Sequence, residues 1–263
     1  MKVFKCFCVI ASLAFSVNGF ANIINVAVIG DNTGGSQTNE VISQLNDSTV
    51  FNFNAVSLNQ GSIVNVSSLS PYDAIILGGS GSSTNGYSTA ALSAAFDFMN
   101  NGGGIVTAGW WHYAIQSLTG AADTFAQAIS PALTTGGYNY SNSNSLVFNN
   151  VNHAITMGVS DFFYSGCCLE VPNGVDNGAI SLAQNNQVIY QDSVGRSVYL
   201  GPVYMSNSGY SNDQLRSGSA DQLFEQAVAW SANGSRISVS SPTTITMFLI
   251  GMFLLLVGRK LAK

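Results

Sequence analysis

The sequence predicts an α/β domain in which helices cover both faces of a parallel sheet. Short apolar, β-branched runs recur in the first half of the chain, at residues 23–29, 72–77 and 104–108, and glycine-rich turns follow the first two. Segments with apolar residues at helical spacing lie between these runs. Continuous apolar runs are typical of buried parallel strands, and their alternation with helices predicts a parallel sheet.

The remaining elements of the first half follow from local signals. Residues 37–45 are predicted to form the first helix, and residues 50–58 alternate as a second strand does. Residues 87–99 have helical spacing and stop at the glycines of residues 100–104. Residues 136–151 are rich in Asn, Ser, Gly and Tyr, which predicts an inserted loop or hairpin.

The domain is predicted to end with a hairpin and one helix. Residues 188–190 and 197–200 flank a turn segment, and residues 220–230 have the amphipathic pattern of a closing helix. One α/β domain over residues 22–234 accounts for all these elements, and residues 235–242 are predicted to be a linker.

The N-terminus has the order of a secretory signal peptide. Lys2 and Lys5 precede an apolar run, and Gly19, Phe20 and Ala21 follow it. This order predicts cleavage after Ala21, so that residues 1–21 are removed and the chain is exported. An uncleaved anchor helix is the weaker alternative because the apolar run is too short to span a bilayer comfortably.

The C-terminus predicts a membrane anchor over residues 243–263. Residues 243–258 are almost entirely apolar, and Arg259, Lys260 and Lys263 follow them. Such a helix is a marginal span for a hydrocarbon core of about 30 Å. The basic residues would stay cytoplasmic. We therefore expect a single-pass anchor with the membrane as partner, in the cell envelope or at the cell surface.

The same tail resembles the PEP-CTERM type of bacterial sorting signal. The lead at residues 239–244 (VSSPTT) is polar and contains proline, although it lacks the Pro-Glu-Pro of that family. The resemblance implies a sorting protease as partner and a tail that is cleaved. A plain anchor without processing is the open alternative.

The exported part is acidic and contains no lysine. Its basic residues besides histidine are Arg196, Arg216 and Arg236, in a chain of formal net charge -5. Nothing here could neutralise a row of phosphates, so the composition excludes a nucleic-acid partner. Neutral polar residues take the place of charged ones, which suits an extracellular surface.

The cysteines predict no metal site. Cys6 and Cys8 lie in the predicted signal peptide, and Cys167 and Cys168 are adjacent. The adjacent pair could bridge to each other, stay reduced or pair between molecules. Because no spacing of the zinc type occurs and the glycine turns lack a phosphate-binding lysine, we expect no metal and no cofactor.

Four segments carry a resemblance to a known family. They are residues 72–79 (YDAIILGG), 101–106 (NGGGIV), 152–159 (NHAITMGV) and 195–202 (GRSVYLGP). With the closing helix they resemble the class I glutamine amidotransferase-like fold, in its trehalose-utilisation (ThuA-like) branch. The resemblance implies a flavodoxin-like parallel sheet with its ligand site at the carboxyl ends of the strands.

The resemblance also implies where a nucleophile would lie. Amidotransferases of this fold have a cysteine in the sharp turn after the strand that matches residues 105–108. This chain has Gly109, Trp110 and Trp111 there. Thiolate attack on an amide is therefore not available at that turn, and we expect no glutaminase activity.

Both histidines of the chain match recurrent positions of the ThuA-like branch. His112 follows the third predicted strand, and His153 lies in the segment NHAIT. They are candidates for acid and base, with Asp31 or Asp161 as a partner. The alternative is that each histidine caps a turn or satisfies a buried backbone group.

A ligand pocket is predicted at the carboxyl edge of the sheet. Aromatic faces suit sugars, although core packing is an equal alternative for large aromatic residues. The predicted ligand-binding residues lie in the turns after two strands: Gly79, Ser80, Trp110, Trp111, His112 and Tyr113.

Two functions follow from these observations. The first is an exported, membrane-anchored or surface-sorted binding or structural protein without catalytic activity, with a carbohydrate or an extracellular matrix component as ligand. The alternative is a hydrolase or isomerase that acts on a carbohydrate with His112 and His153.

Overall fold

The computed structural model describes residues 22–30, 36–79, 86–133, 138–141, 145–164, 169–193, 195–205 and 213–233. Its strands are β1 (Ile24–Gly30), β2 (Phe53–Ser57), β3 (Ala74–Gly78), β4 (Gly104–Thr107), β5 (Tyr138–Ser141), β6 (Ser145–Leu146), β7 (Phe162–Phe163), β8 (Leu169–Pro172), β9 (Ile180–Ser181), β10 (Val188–Asp192) and β11 (Arg196–Leu200). Its α-helices are α1 (Ser36–Asn46), α2 (Thr89–Asn100), α3 (Trp111–Ile115), α4 (Gly120–Ile129) and α5 (Gly218–Asn233).

A mostly parallel sheet forms the centre of the molecule, with the strand order β2-β1-β3-β4-β11-β10-β9. The first five strands in that order are parallel to one another, and β10 is antiparallel to both of its neighbours, β11 and β9. β1, β3 and β4 are parallel neighbours, as the sequence predicted. The chain order reverses between β1 and β3, which is where open α/β sheets form a ligand crevice.

Apolar layers cover both faces of this sheet. On one face Val26 of β1 packs in a cluster with Val41 of α1 and Leu223 of α5. On the other face Ile29 of β1 lies in a cluster with Leu92 of α2 and residues of α4. Because alternate residues of a strand project to opposite faces, every central strand contributes to both layers. The predicted arrangement of helices on both faces is confirmed.

The second half contains the predicted hairpin and closing helix together with two small ribbons. β10 and β11 pair as the predicted antiparallel hairpin. The segment predicted as an inserted loop or hairpin contains β5 and β6, but neither pairs within the segment. β5 pairs with β8 and β6 pairs with β7, both antiparallel. These long-range pairings could not be read from local turn signals.

Asparagine side chains cover the two edges of the central sheet. At β2, the N–H of Ala55 donates to Oδ1 of Asn46 at 2.8 Å, and Nδ2 of Asn46 donates to the carbonyl of Ala55 at 3.1 Å. At β9, Nδ2 of Asn149 donates to the carbonyl of Ser181 at 3.2 Å. Unpaired edge groups invite pairing with other chains, so these amides protect both edges.

The prediction of a C-terminal transmembrane helix is wrong by this structure. Among the described residues, no helix is both long and apolar enough to cross a membrane. The longest of them, α5, has 16 residues and includes Asp221 and Glu225. At about 1.5 Å per residue it would cover about 24 Å of a core about 30 Å thick.

The correction applies to every expectation that depended on that helix. They are the transmembrane segment at residues 243–263, the single-pass anchor at the cell surface and the membrane as partner through residues 243–258. Those residues, their resemblance to a sorting signal and the predicted signal peptide all lie outside the described residues.

Candidate functional site

Tyr87 closes the carboxyl edge of the sheet between β1 and β3. Its hydroxyl lies 2.9 Å from the carbonyl of Ile29 and 2.7 Å from the carbonyl of Gly78, and it accepts the N–H of Gly78 at 2.9 Å. The phenol therefore joins the ends of both strands at the point where the strand order reverses. A ligand at this point would have to contact or displace a buried tyrosine.

The turn after β4 has a strained backbone. Trp110 immediately precedes α3 and has φ 65° and ψ 10°, a left-handed conformation that bulky residues rarely adopt. A Cβ at Gly79 would overlap the carbonyl oxygen of Trp110, and a Cβ at Gly109 would lie 2.7 Å from the carbonyl of Gly201. Gly79, predicted as a ligand-binding residue, permits this close approach of two backbone segments.

The aromatic residues of this turn are mostly buried. Trp111 is 0% exposed, and its ring centroid lies 5.5 Å from that of Tyr87. Trp110 is 8% exposed and makes an edge contact with the half-buried Tyr113 at 5.4 Å. Trp111 therefore fits the core-packing alternative, whereas Trp110 and Tyr113 lie closer to the surface.

His112 forms a buried pair with Glu170. Nδ1 of His112 lies 3.1 Å from Oε2 of Glu170, and the two residues are 2% and 1% exposed. The same oxygen accepts the N–H of His112 at 3.2 Å and the hydroxyl of Tyr199 at 3.0 Å. The other carboxylate oxygen accepts the N–H of Tyr113 at 3.1 Å. Four donors therefore satisfy this carboxylate, as a buried charge requires.

This arrangement fixes the orientation of the imidazole. A carboxylate that accepts Nδ1–H selects the tautomer in which Nε2 carries the lone pair, as in the base of a catalytic triad. Glu170 also binds the first N–H groups of α3, where a negative charge is favourable. It therefore acts on the backbone of the turn as well as on the ring.

His153 caps a turn. Its Nδ1 accepts the N–H of Ile155 at 3.2 Å, which places the proton of the neutral ring on Nε2. The ring stacks on Tyr190 with a centroid distance of 4.0 Å and makes an edge contact with Trp230 at 5.2 Å. Burial lowers the pKa of His153, and the charge of Asp192 partly opposes that shift. These contacts match the structural alternative for this histidine.

The two histidines pack against opposite faces of the sheet. His112 makes an edge contact with Tyr199, which belongs to the same apolar layer as Trp111. His153 contacts Tyr190 and Trp230, which belong to the other layer. The structure therefore does not bring the two rings together.

Of the two proposed acidic partners, the structure describes Asp161. Asp161 accepts the N–H of Phe148 at 2.9 Å. Asp31 and Ser80, together with Cys167 and Cys168, lie outside the described residues.

Comparisons with solved structures identify the fold. A ThuA-like protein from Parabacteroides merdae matches with a TM-score of 0.55 and 15% identity, over 84% of this chain and 92% of that one. A ThuA-like protein from Bacteroides uniformis matches with a TM-score of 0.51 and 14% identity, over 81% and 93%. The fold is ThuA-like. No protein-family model and no curated protein matches the chain.

Glu170 is the residue of this site that sequence reasoning missed. It lies in β8, about sixty residues after His112, and belongs to none of the segments that carry the family resemblance. The one available signal was an acidic residue within the short apolar strand Leu169–Pro172. A buried carboxylate in such a strand needs partners, and His112, Tyr113 and Tyr199 supply them.

An uncharged surface adjoins the same part of the ThuA-like fold. Between Asp123 and Asp161 the sequence contains no Asp, Glu, Lys or Arg. Within this stretch, Tyr140 of β5 is 61% exposed and lies in register opposite Glu170 of β8. Its neighbour Asn139 is also exposed. We call Asn139 and Tyr140 the neutral surface.

Proposed function

We propose that this chain is a binding or structural protein without catalytic activity, exported through its predicted signal peptide. The observation that carries the proposal is the turn after β4. Amidotransferases of this fold have their cysteine in that turn, whereas here the strained position is occupied by Trp110. A tryptophan has no nucleophilic atom to attack a carbonyl carbon.

The environment of His112 supports the same proposal. The residue is 2% exposed, and Glu170 and Tyr199 surround its ring with polar and aromatic contacts. A hydrolase or isomerase that used both His112 and His153 would need both rings within hydrogen-bond reach of one substrate. Their positions on opposite faces of the sheet do not favour that alternative.

The binding part of the proposal rests on the neutral surface. The exposed Asn139 and Tyr140, which lie in a stretch of sequence without charged residues, resemble the composition of antibody binding loops, where Tyr supplies rigid contact area and Asn supplies hydrogen bonds. Tyrosine faces also stack on sugar rings. We therefore propose a neutral carbohydrate of the extracellular matrix as the ligand class of this surface.

The binding proposal is tested with an array of neutral glycans. Tyr140→Ala should weaken retention of a bound glycan at least fivefold, whereas Val64→Ala, a change at another exposed apolar residue, should leave it unchanged. Equal retention by the wild type and Tyr140→Ala would exclude the neutral surface as the binding site.

The non-catalytic proposal is tested by assays with glutamine and with a panel of glycosides. We expect no turnover above that of His112→Gln, whose fold is checked by its melting temperature. Turnover by the wild type that the variant loses would overturn the proposal.

A further inference from the structure

His153 attaches the segment of residues 152–159 to the sheet and to the closing helix α5. Its ring stacks on Tyr190 of β10 at a centroid distance of 4.0 Å and makes an edge contact with Trp230 of α5 at 5.2 Å. Two residues later, Ile155 is 0% exposed and belongs to the same apolar layer as Trp230. We call residues 152–159 the latch segment.

Glutamines of α5 make a second attachment of the latch segment. Nε2 of Gln226 donates to the carbonyl of Met157 at 3.0 Å, and Nε2 of Gln222 donates to the same carbonyl at 3.4 Å. The side chain of Met157 is 48% exposed. A surface segment with such attachments can open locally while the domain stays folded.

The hydrogen bond to Ile155 requires a neutral imidazole. Nδ1 of His153 accepts the N–H of Ile155 at 3.2 Å, and this bond uses the lone pair of that nitrogen. Protonation of the ring places a hydrogen on Nδ1, so that two N–H groups would face each other. Because Tyr190 and Trp230 both contact the ring, it cannot turn freely to relieve this conflict. The imidazolium is therefore incompatible with the closed latch segment.

Two groups of β10 favour the imidazolium. Asp192 raises the pKa of His153 through its charge, and the face of Tyr190 can stabilise a cation. Burial opposes them and is the larger effect, so that the pKa of His153 is lowered. The latch segment should therefore stay closed at neutral pH and respond only in acid.

The charged groups of the other neighbouring elements are directed elsewhere. Asp221 and Glu225, the carboxylates of α5, lie beside α1, and Gln44 of α1 donates to Asp221 at 2.7 Å. Arg196 of β11 donates to the carbonyl of Trp230 at 2.9 Å. The latch segment itself contains no Asp, Glu, Lys or Arg. Titration of His153 is therefore the charge change within this contact region.

We propose that His153 is an acid-sensitive latch: its protonation removes the acceptor of the Ile155 N–H, and the latch segment then separates from α5 and exposes Ile155. A lone histidine whose neutral form holds a segment closed suffices for such a switch. The proposal uses no residue of the neutral surface, so the failure of either proposal leaves the other intact.

The test is amide hydrogen exchange of Ile155 and Thr156, measured by NMR at pH 7.5 and pH 4.5 and corrected for the intrinsic pH dependence of exchange. We expect the protection of both amides in the wild type to fall at least fivefold at pH 4.5. His153→Ala lacks the acceptor, and its protection should be low at both pH values.

His153→Asn is the decisive variant. An asparagine oxygen can accept the N–H two residues later and does not titrate, so this variant should show the same protection at both pH values. Glu225→Gln is the matched control, because Glu225 also titrates in this range and lies on α5. It should keep the full fall of the wild type.

Two results would overturn the proposal. One is equal protection of the wild type at pH 7.5 and pH 4.5. The other is a fall in His153→Asn as large as that of the wild type. If His153→Asn does not fold, Asp192→Asn replaces it. This variant should move the midpoint of the fall to lower pH, and an unchanged midpoint counts against the latch in the same way.

Discussion

Nδ1 of His112 lies 3.1 Å from Oε2 of Glu170, and this contact joins two parts of the chain that are distant in sequence. His112 belongs to the turn after β4, and Glu170 belongs to β8, outside the central sheet. Tyr199 of β11 donates to the same carboxylate oxygen. One carboxylate therefore ties the turn, the β5–β8 ribbon and the sheet together.

Removal of that carboxylate should destabilise the fold strongly. We expect Glu170→Ala to lower the free energy of unfolding by about 3 kcal/mol, because it leaves buried donors without an acceptor. Glu170→Gln, which keeps one acceptor oxygen, should cost less. Urea unfolding measures both variants, with the exposed Asp97→Asn as control. A loss below about 1 kcal/mol for Glu170→Ala would contradict this account.

The strained backbone at Trp110 predicts an unusual order of two variants. Both Trp110→Ala and Trp110→Gly lose the packed ring. Only the alanine variant keeps the energetic cost of a left-handed backbone at φ 65°. We expect the glycine variant to be more stable than the alanine variant by about 1 kcal/mol. At Ala91, in the regular helix α2, replacement by glycine should instead cost about 1 kcal/mol. Thermal unfolding decides the order.

Glu225 predicts a specific pH dependence of stability. Burial raises its pKa from 4.5 to about 7, so the folded state binds the proton more tightly than the unfolded state does. The ionised carboxylate therefore destabilises the fold above pH 7, and this effect fades as the pH falls towards 4.5. Glu225→Gln should raise stability at pH 8 and change it little near pH 4.5.

Solvent screening reduces the size of that effect. We expect about 1 kcal/mol at pH 8, well below the value that the full pKa shift implies. Melting temperatures at pH 8 and pH 4.5 provide the measurement, and Asp97→Asn should show no comparable difference. Equal stabilisation by Glu225→Gln at both values would rule out titration of this group as the cause.

His153 should titrate below the ordinary value of 6.5, since burial disfavours its charged form. The neutral ring therefore contributes stability that is complete above pH 6.5 and is lost as the pH falls through the lowered pKa. Asp192→Asn should lower the pKa of His153 further, because the aspartate charge favours the imidazolium. NMR titration of the ring protons measures both values. Asp176→Asn should cause no shift, and a rise in Asp192→Asn would refute the assigned contact.

Local sequence patterns were sufficient for β1, β3, β4 and the β10–β11 hairpin of the central sheet, but not for β9. The apolar runs around Ile76 and Val106 predicted buried parallel strands, and the residues before Arg196 predicted the hairpin. The pairing of Tyr140 with Glu170 could not be predicted, because the two residues are far apart in the sequence and no local signal selects the partner strand. The buried pair of Glu170 with His112 also joins two distant segments, and it was missed for the same reason.

The predicted pocket shows a different limit of sequence reasoning. The cluster at residues 109–113 was located in the turn after the third predicted strand, where it lies. Periodicity could not show how far each side chain is buried. Trp111 points into the apolar layer beside Tyr87, whereas Tyr113 remains partly exposed. The apolar content of residues 243–258 predicted a membrane span that this structure does not support.

The amides of Asn46 and Asn149 at the sheet edges have a consequence for the salt dependence of edge protection. Lysine side chains often protect exposed strands by mutual repulsion. This repulsion weakens at high salt, because the Debye length falls to about 3 Å at molar ionic strength. A hydrogen bond from a neutral amide to Ala55 or Ser181 carries no net charge to be masked. These two edge hydrogen bonds should therefore depend little on ionic strength.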